Sequence, residues 1–272
     1  MTARHEDVGE ELRGAVIVTG GAGAGIGRAI STAVARAGWA VLIADRDAAS
    51  AGTLANELTA AGCRAAWVEV DVSDGASVGR MFQHPLVLEH RLHGLVNSAG
   101  VGLIRPLAEV TEAEWDRVMG IDLRGAFLCS REAIRLMALT GGGAIVNIGS
   151  VQALGPHVGY STYAAAKAGL IGLTRGIAAD HGRDGIRCNI IHPGFVDSPQ
   201  GRDLLAQWGD PDGWISSYVH TRQMLPRVIR ADEIGDAACF LLSDAARSIT
   251  AAEITVDAGS SRMAFDNTEG TR

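Results

Sequence analysis

Residues 14–45 read GAVIVTGGAGAGIGRAISTAVARAGWAVLIAD. A β-branched run (15–19) enters the glycine-rich turn GGAGAGIG, an amphipathic stretch follows, and a second apolar run (40–44) ends at Asp45. Strand, glycine turn, helix, strand and acid, in that order, form the context that a dinucleotide-binding fingerprint requires. Glycines let backbone N–H groups approach a pyrophosphate, and the helix N-terminus adds a favourable dipole. A carboxylate about 20 residues past the turn can accept hydrogen bonds from both ribose hydroxyls of NAD and repel a 2′-phosphate. Arg46 follows directly, and an arginine there can cradle that phosphate, so NAD is favoured and NADP stays open. The plainer alternative is a flexible loop beside a surface aspartate.

Further apolar runs occupy 65–70, 95–97, 144–148, 187–191 and 253–257, separated by helical patterns. Seven runs with helical crossovers imply an α/β protein, a single-domain Rossmann-like doubly wound parallel sheet of seven strands flanked by helices. Ligands in such sheets sit at the carboxyl ends of the strands. Asp45, Asp71, Asn97, Ser150 and Pro193 fall just beyond those ends. Residues 1–13 read as a polar extension, 14–260 as the domain and 261–272 as a polar tail. Residues 198–226 break the alternation with SPQGRDLLAQWGDPDGWISSYVHTRQMLP, which holds two tryptophans and a tyrosine.

The chemistry concentrates in residues 147–170, NIGSVQALGPHVGYSTYAAAKAGL. Tyr163 and Lys167, four residues apart on a helix, share one face. An ammonium beside a phenol favours phenolate, and the Ser150 hydroxyl can bond a substrate oxygen. These groups suit moving a proton on or off a carbinol while hydride leaves its carbon. Alone, a tyrosine and a lysine at this spacing fit any alanine-rich surface helix. Gln152, Leu154, His157 and Tyr160 lie in the intervening loop. Gln152 and His157 could bond hydroxyls, which points to a polyol, a sugar or another small secondary alcohol. A solvated loop histidine is the alternative, and ketone or steroid reduction stays open.

Together these residues resemble the short-chain dehydrogenase/reductase family over about 14–260. Its TGxxxGxG motif has counterparts in Thr19-Gly20 and in Gly21, Gly23, Gly25, Ile26 and Gly27. Asp71-Val72, Asn97-Ser98-Ala99-Gly100, Ser150, Tyr163/Lys167 and Pro193-Gly194 with Ser198 match later motifs, as do FLLSDAARSIT and EITVDAG near the end. The resemblance implies Tyr163 as acid/base, assisted by Ser150, with Lys167 binding the nicotinamide ribose. Asp71 and Val72 would flank adenine; Asn97, Ala99 and Gly100 would line the cofactor loop; Ser198 and the backbone near Val196 would meet the carboxamide. It also makes 198–226 a substrate lid, although a surface helical pair packing its own tryptophans fits too.

The chain departs from the family in three places. Four residues separate Thr19-Gly20 from Gly25-Ile26-Gly27 where the family has three, so the turn is expected to bulge. Ser98 replaces an asparagine. In IDLRGAF (121–127), Asp122 stands where the family has an asparagine that holds a water relaying protons to the lysine. Asp122 is expected to anchor that water and to bias Lys167 toward its charged form.

The 272 residues carry a net charge of −7, with pI near 5.6, which argues against a nucleic-acid surface. No apolar run is long enough for a transmembrane helix, and the polar N-terminus MTARHEDVGEELRG does not resemble a signal peptide. Cys63, Cys129, Cys188 and Cys239 lack metal-ligand spacing and read as reduced core residues of a cytoplasmic protein. No metal site is visible. The expectation is an NAD(P)-dependent oxidoreductase interconverting a secondary alcohol and a ketone, with no nucleic-acid or membrane partner. A homotetramer through the long helices holding Asp122 and Tyr163 and through the C-terminal strand follows from the resemblance, although the apolar faces of 126–139 and 164–177 could equally pack inward. The alternative is a catalytically impaired NAD(H)-binding regulator or scaffold, with Asp122 and the enlarged turn as its symptoms.

Overall fold

Strands and helices alternate along the computed structural model, which describes residues 13–206 and 209–263. The first half contains β1 (Ala15–Thr19), α1 (Ile26–Arg36), β2 (Ala40–Asp45), α2 (Ala48–Ala60), β3 (Ala65–Glu69), α3 (Gly75–Met81), α4 (Pro85–Glu89) and β4 (Leu92–Asn97). Next come α5 (Glu112–Val118), a π-helical segment Met119–Gly125, α6 (Ala126–Leu139), β5 (Gly143–Ile148), α7 (Ser161–His181) and β6 (Ile186–Pro193). α8 (Pro199–Leu205), α9 (Pro211–Arg222) and α10 (Ala231–Leu242) precede β7 (Glu253–Val256). Most of the extension 1–13 and of the tail 261–272 lies outside the described residues.

The seven strands form one parallel sheet in the order β3-β2-β1-β4-β5-β6-β7. Strand order reverses between β1 and β4, and at such a switch point the loops diverge and leave a crevice. Layers on both faces explain why AVIVT and AVLIA read as unbroken apolar runs. Alternate residues serve opposite layers: Val16 and Val18 pack with Ile30, Val34 and Leu241, whereas Ile17 packs with Met81, Leu128 and Met137. Local signals set the helix starts. A capping box between Thr111 and Glu114 opens α5, and Asp210 caps α9 ahead of Pro211.

Four strands are longer than their apolar runs, β2 and β5 by one residue each and β4 and β6 by more. β4 begins at Leu92, because His93 bonds the Leu242 carbonyl and Gly94 leaves room for Val16 and Leu242. β6 continues through His192 to Pro193. Asp45, Asn97 and Pro193 therefore end their strands rather than follow them. β3 and β7 each stop one residue short of the expected end.

A polar seam crosses the centre of the sheet. Asn97 on β4 donates to Asn147 Oδ1 on β5 (2.8 Å) and to Ser130 on α6 (3.0 Å), and Asn147 donates to Thr174 on α7 (2.9 Å). Cys129 and Cys188 are buried, with thiols pushed up to about 12 by burial. Cys63 and Cys239 are only half-buried, which corrects the reading of all four as core residues. Among the described residues, no helix is long and apolar enough to cross a membrane, and no cluster of three His, Cys, Asp or Glu could hold a metal ion.

Candidate active site

The turn after β1 is shaped by close backbone approaches. The Thr19 hydroxyl accepts the N–H groups of Ser98 (3.2 Å) and Ala99 (3.4 Å), tying it to the loop after β4. Gly20 and Gly21 adopt left-handed backbone, with φ of +74° and +76°. A Cβ on Gly20 would strike the Ala99 backbone, and one on Gly27 would strike the Gly20 carbonyl. Only glycine satisfies both. The inserted residue is absorbed at Ala22, which is buried and donates its N–H to Asp45 Oδ2 (2.8 Å). Asp45 Oδ1 accepts the N–H of Asp47 (3.0 Å).

Gly21, Gly25, Ile26 and Gly27 line the cleft, while a Cβ on Gly23 would face Ser50. The α1 N-terminus has no side-chain cap and no acidic residue in its first turn. Uncapped N–H groups beside Asp45 and Arg46 fit a dinucleotide pyrophosphate and ribose.

Deeper in the cleft lie Asp71, Val72, Ala99 and Gly100. Hydrogen bonds from Ser73 hold the Asp71 carboxyl below its usual range. The Asn97 side chain does not line the cleft, because its amide belongs to the polar seam. Pro193, Gly194, Val196 and Ser198 form the opposite wall. Ser198 also caps α8 through the Gly201 N–H (3.2 Å).

β5 delivers Ser150 in extended backbone, its hydroxyl accepting the Gln152 N–H at 3.1 Å. One turn of α7 brings the Lys167 ammonium 5.4 Å from the Tyr163 ring centroid. Lys167 Nζ donates to the Ile148 carbonyl (3.0 Å) and lies 3.2 Å from Asp122 Oδ2. Asp122 Oδ1 accepts the Val101 N–H (2.8 Å). The wide π-helical turn presents Asp122 to the lysine, as such turns often do at functional sites. Contact is direct, so no water stands between Asp122 Oδ2 and the ammonium.

Burial pushes the Asp122 carboxyl up, opposed by Lys167 and the Val101 N–H. Burial also works against the Lys167 cation, but Asp122 and Tyr163 outweigh it and hold the ammonium above its ordinary value. The Tyr163 phenol is pushed up by burial, pulled down by Lys167, pushed up again by Asp122 and eased by its bond with Ser150. Its net direction is upward, opposite to the expected bias toward phenolate, because burial outweighs the field of Lys167 and Asp122 adds to the rise.

On the substrate side, Gln152, His157 and Tyr160 line the cleft, whose volume is about 670 Å³. Gln152 Oε1 accepts the His157 N–H (2.8 Å) and so braces the loop. Leu154 is exposed and lies outside the cleft. Burial and Arg222 keep His157 below its usual value, and burial lifts Tyr160 to about 12. The far wall carries Trp214 and Tyr218 of the aromatic segment 198–226, together with Phe195, which the sequence reading did not single out. Trp214 stacks on Tyr218 (4.9 Å), and Phe195 meets both edge-on (5.3 and 6.0 Å). The i, i+4 spacing of Trp214 and Tyr218 was the available signal. Arg202 on α8 pairs with both oxygens of Asp197 (2.6 and 2.7 Å) and with Asp212 on α9 (2.8 Å), fastening this wall.

Comparison with known proteins agrees with this geometry. Residues 21–261 match the family model described as enoyl-(acyl carrier protein) reductase. The chain is 38% identical to cis-4-hydroxycyclohexanecarboxylate dehydrogenase of Sinomonas cyclohexanicum, covering 93% of this chain and 98% of that one. It is 36% identical to D-threitol dehydrogenase of Mycolicibacterium smegmatis, covering 95% and 98%. The solved structure of a short-chain type dehydrogenase/reductase from Mycobacterium ulcerans superposes with a TM-score of 0.85 at 27% identity, covering 94% and 92%. With these matches spanning nearly its whole length, the chain belongs to the short-chain dehydrogenase/reductase family.

Proposed function

We propose that this protein is an NAD-dependent oxidoreductase that interconverts a small, ring-bearing or polyol-like secondary alcohol and its ketone. The observation that carries the reading is the meeting of Ser150, Tyr163 and Lys167 in one cleft whose other end offers the uncapped α1 N-terminus and Asp45. When bound, the nicotinamide supplies the carbon that accepts or returns hydride. Tyr163 takes the carbinol proton in oxidation and returns it in reduction. The Ser150 hydroxyl hydrogen-bonds the substrate oxygen and stabilises its developing charge. An ammonium has three donors. Ile148 and Asp122 engage Lys167 from behind, which leaves a donor for the cleft.

Asp45 favours NAD, since both its oxygens already hold backbone N–H groups and cannot swing aside for a 2′-phosphate without releasing them. The aromatic wall of Phe195, Trp214 and Tyr218, borne partly on α9, supports a lid that excludes water from a compact substrate. Relatives named for a hydroxycyclohexane acid and for threitol support that size class. Exposed Phe127 and Leu139 on α6 support packing against a further copy in a homotetramer, and the free thiols suit a cytoplasmic setting. No observation favours the turnover-deficient regulator.

The test is Tyr163→Phe, assayed with NAD and small cyclic and acyclic secondary alcohols. Turnover should vanish while NADH affinity stays near wild type. Undiminished turnover would remove Tyr163 from its role.

A further inference from the structure

His192 is completely buried (0% exposed) one residue before Pro193, and the reaction proposed above does not use it. A buried titratable ring beneath a site needs a physical account. Nε2 lies 3.2 Å from Glu253 Oε2 on β7, and Oε1 of the same carboxylate pairs with Arg175 on α7 at the surface (2.5 Å). Nδ1 lies 3.3 Å from the Ser150 backbone nitrogen and 3.1 Å from the Ser150 carbonyl oxygen. Gly149 leaves space for this contact, since a Cβ there would sit 2.5 Å from Nδ1.

The two ring nitrogens have different freedoms. A carboxylate only accepts, so Nε2 carries its hydrogen toward Glu253. The neutral ring then has a bare Nδ1, which accepts the Ser150 N–H. The protonated ring has a donor at Nδ1, which turns to the Ser150 carbonyl instead. That carbonyl already accepts the Ala153 N–H (3.0 Å), so the neutral arrangement leaves it satisfied. Two charged side chains bear on the ring, Glu253 from β7 and Lys167 from α7; Arg175 pairs with Glu253, and Asp122 stands behind Lys167. Burial lowers the ring below its ordinary value, with Lys167 adding to this and Glu253 opposing it.

We propose that His192, oriented by Glu253, is a positioning residue for Ser150: its Nδ1 fixes the Ser150 peptide, and protonation of the ring exchanges an accepted N–H for a donated bond to the carbonyl and re-aims the hydroxyl. The inference rests on the catalytic role proposed for Ser150.

The experiment follows the Ser150 amide and the His192 ring by NMR between about pH 5 and 8, alongside kcat for alcohol oxidation. In the wild-type protein the amide shift and the ring should titrate with one midpoint, and on its acid side kcat should fall about ten-fold further than the Tyr163 ionisation alone lowers it. Glu253→Gln removes the anion that favours the ring cation, so that midpoint should move to lower pH. His192→Phe should lower kcat about ten-fold at neutral pH with NADH affinity unchanged. His192→Asn, which still offers an acceptor but cannot be protonated, should recover most of that loss and flatten the amide titration.

A Ser150 amide that ignores the ring, or an unmoved midpoint in Glu253→Gln, overturns the proposal. If the His192 variants do not fold, the wild-type and Glu253→Gln titrations decide it. If the protein turns no alcohol over, the proposed function fails by itself, and the amide titration still judges the coupling.

Discussion

The Asp122 carboxylate and the Lys167 ammonium lie 3.2 Å apart, with Asp122 1% and Lys167 4% exposed. A buried ion pair one helical turn from a phenol makes the proton chemistry of the cleft depend on three charges rather than two.

Replacing Asp122 with asparagine should therefore move the pH profile. Oxidation needs phenolate, so its rate rises as pH passes through the Tyr163 value. Asp122 helps to push that value up, and removing its charge lets it fall. The acid limb of kcat/KM should move to lower pH. Below the limb, the rate should gain about ten-fold for each pH unit the limb travels. A superimposable profile would leave Asp122 a structural residue.

The same pair predicts a stability cycle. Lys167→Met strands a buried carboxylate and should cost about 3–5 kcal/mol in urea unfolding near neutral pH. The carboxyl is already raised by burial, and without its cation it rises further. A group with a raised folded pKa gives stability that is whole below its unfolded value and is lost as pH climbs through the folded one. The Lys167→Met defect should thus shrink on acidification toward the ordinary aspartate range. Asp122→Asn added to Lys167→Met should recover part of the loss, and strict additivity of the two changes would refute the coupling.

Gly27→Ala tests the turn. The new Cβ meets the Gly20 carbonyl, which is backbone and can yield only by moving the loop. NADH affinity should drop at least about ten-fold in a fluorescence titration, while far-ultraviolet circular dichroism stays unchanged. Wild-type affinity would mean that the turn does not touch the dinucleotide.

Asp45→Ala should do more than relax selectivity. Besides losing ribose contacts, it frees the Ala22 N–H that pins the enlarged turn. NADH should weaken about ten-fold or more and NADPH less, so the ratio of their dissociation constants narrows. Calorimetry with both dinucleotides checks this, and an unchanged ratio would turn Asp45 away from the ribose.

The sequence made the sheet legible because parallel strands buried on both faces leave apolar runs such as AVLIA. Ser150, Tyr163 and Lys167 were legible as candidates because their spacing came together with the glycine turn and the later motifs. What stayed hidden depended on contacts across the fold. Asn97 gave no sign that its amide turns into the sheet, nor Gly23 that it faces Ser50. The reversed bias on Tyr163 comes first from its burial, which only the assembled fold shows, and then from Asp122 on a π-helical turn that leaves no periodic trace in seven residues. Phe195 joins the aromatic wall through α9, a partner 19 residues on at Trp214.

The polar seam of Asn97, Ser130, Asn147 and Thr174 bears on how this scaffold can change over evolutionary time. The seam's donors all have partners where water does not reach, while Asn97 Oδ1 has none, so a single substitution orphans a further amide or hydroxyl in the middle of the sheet. Concerted replacement by apolar residues of similar shape avoids that cost. The four positions are in effect one heritable character written in four places. They can drift only together, and a library that varies them one at a time will score every viable alternative as a failure.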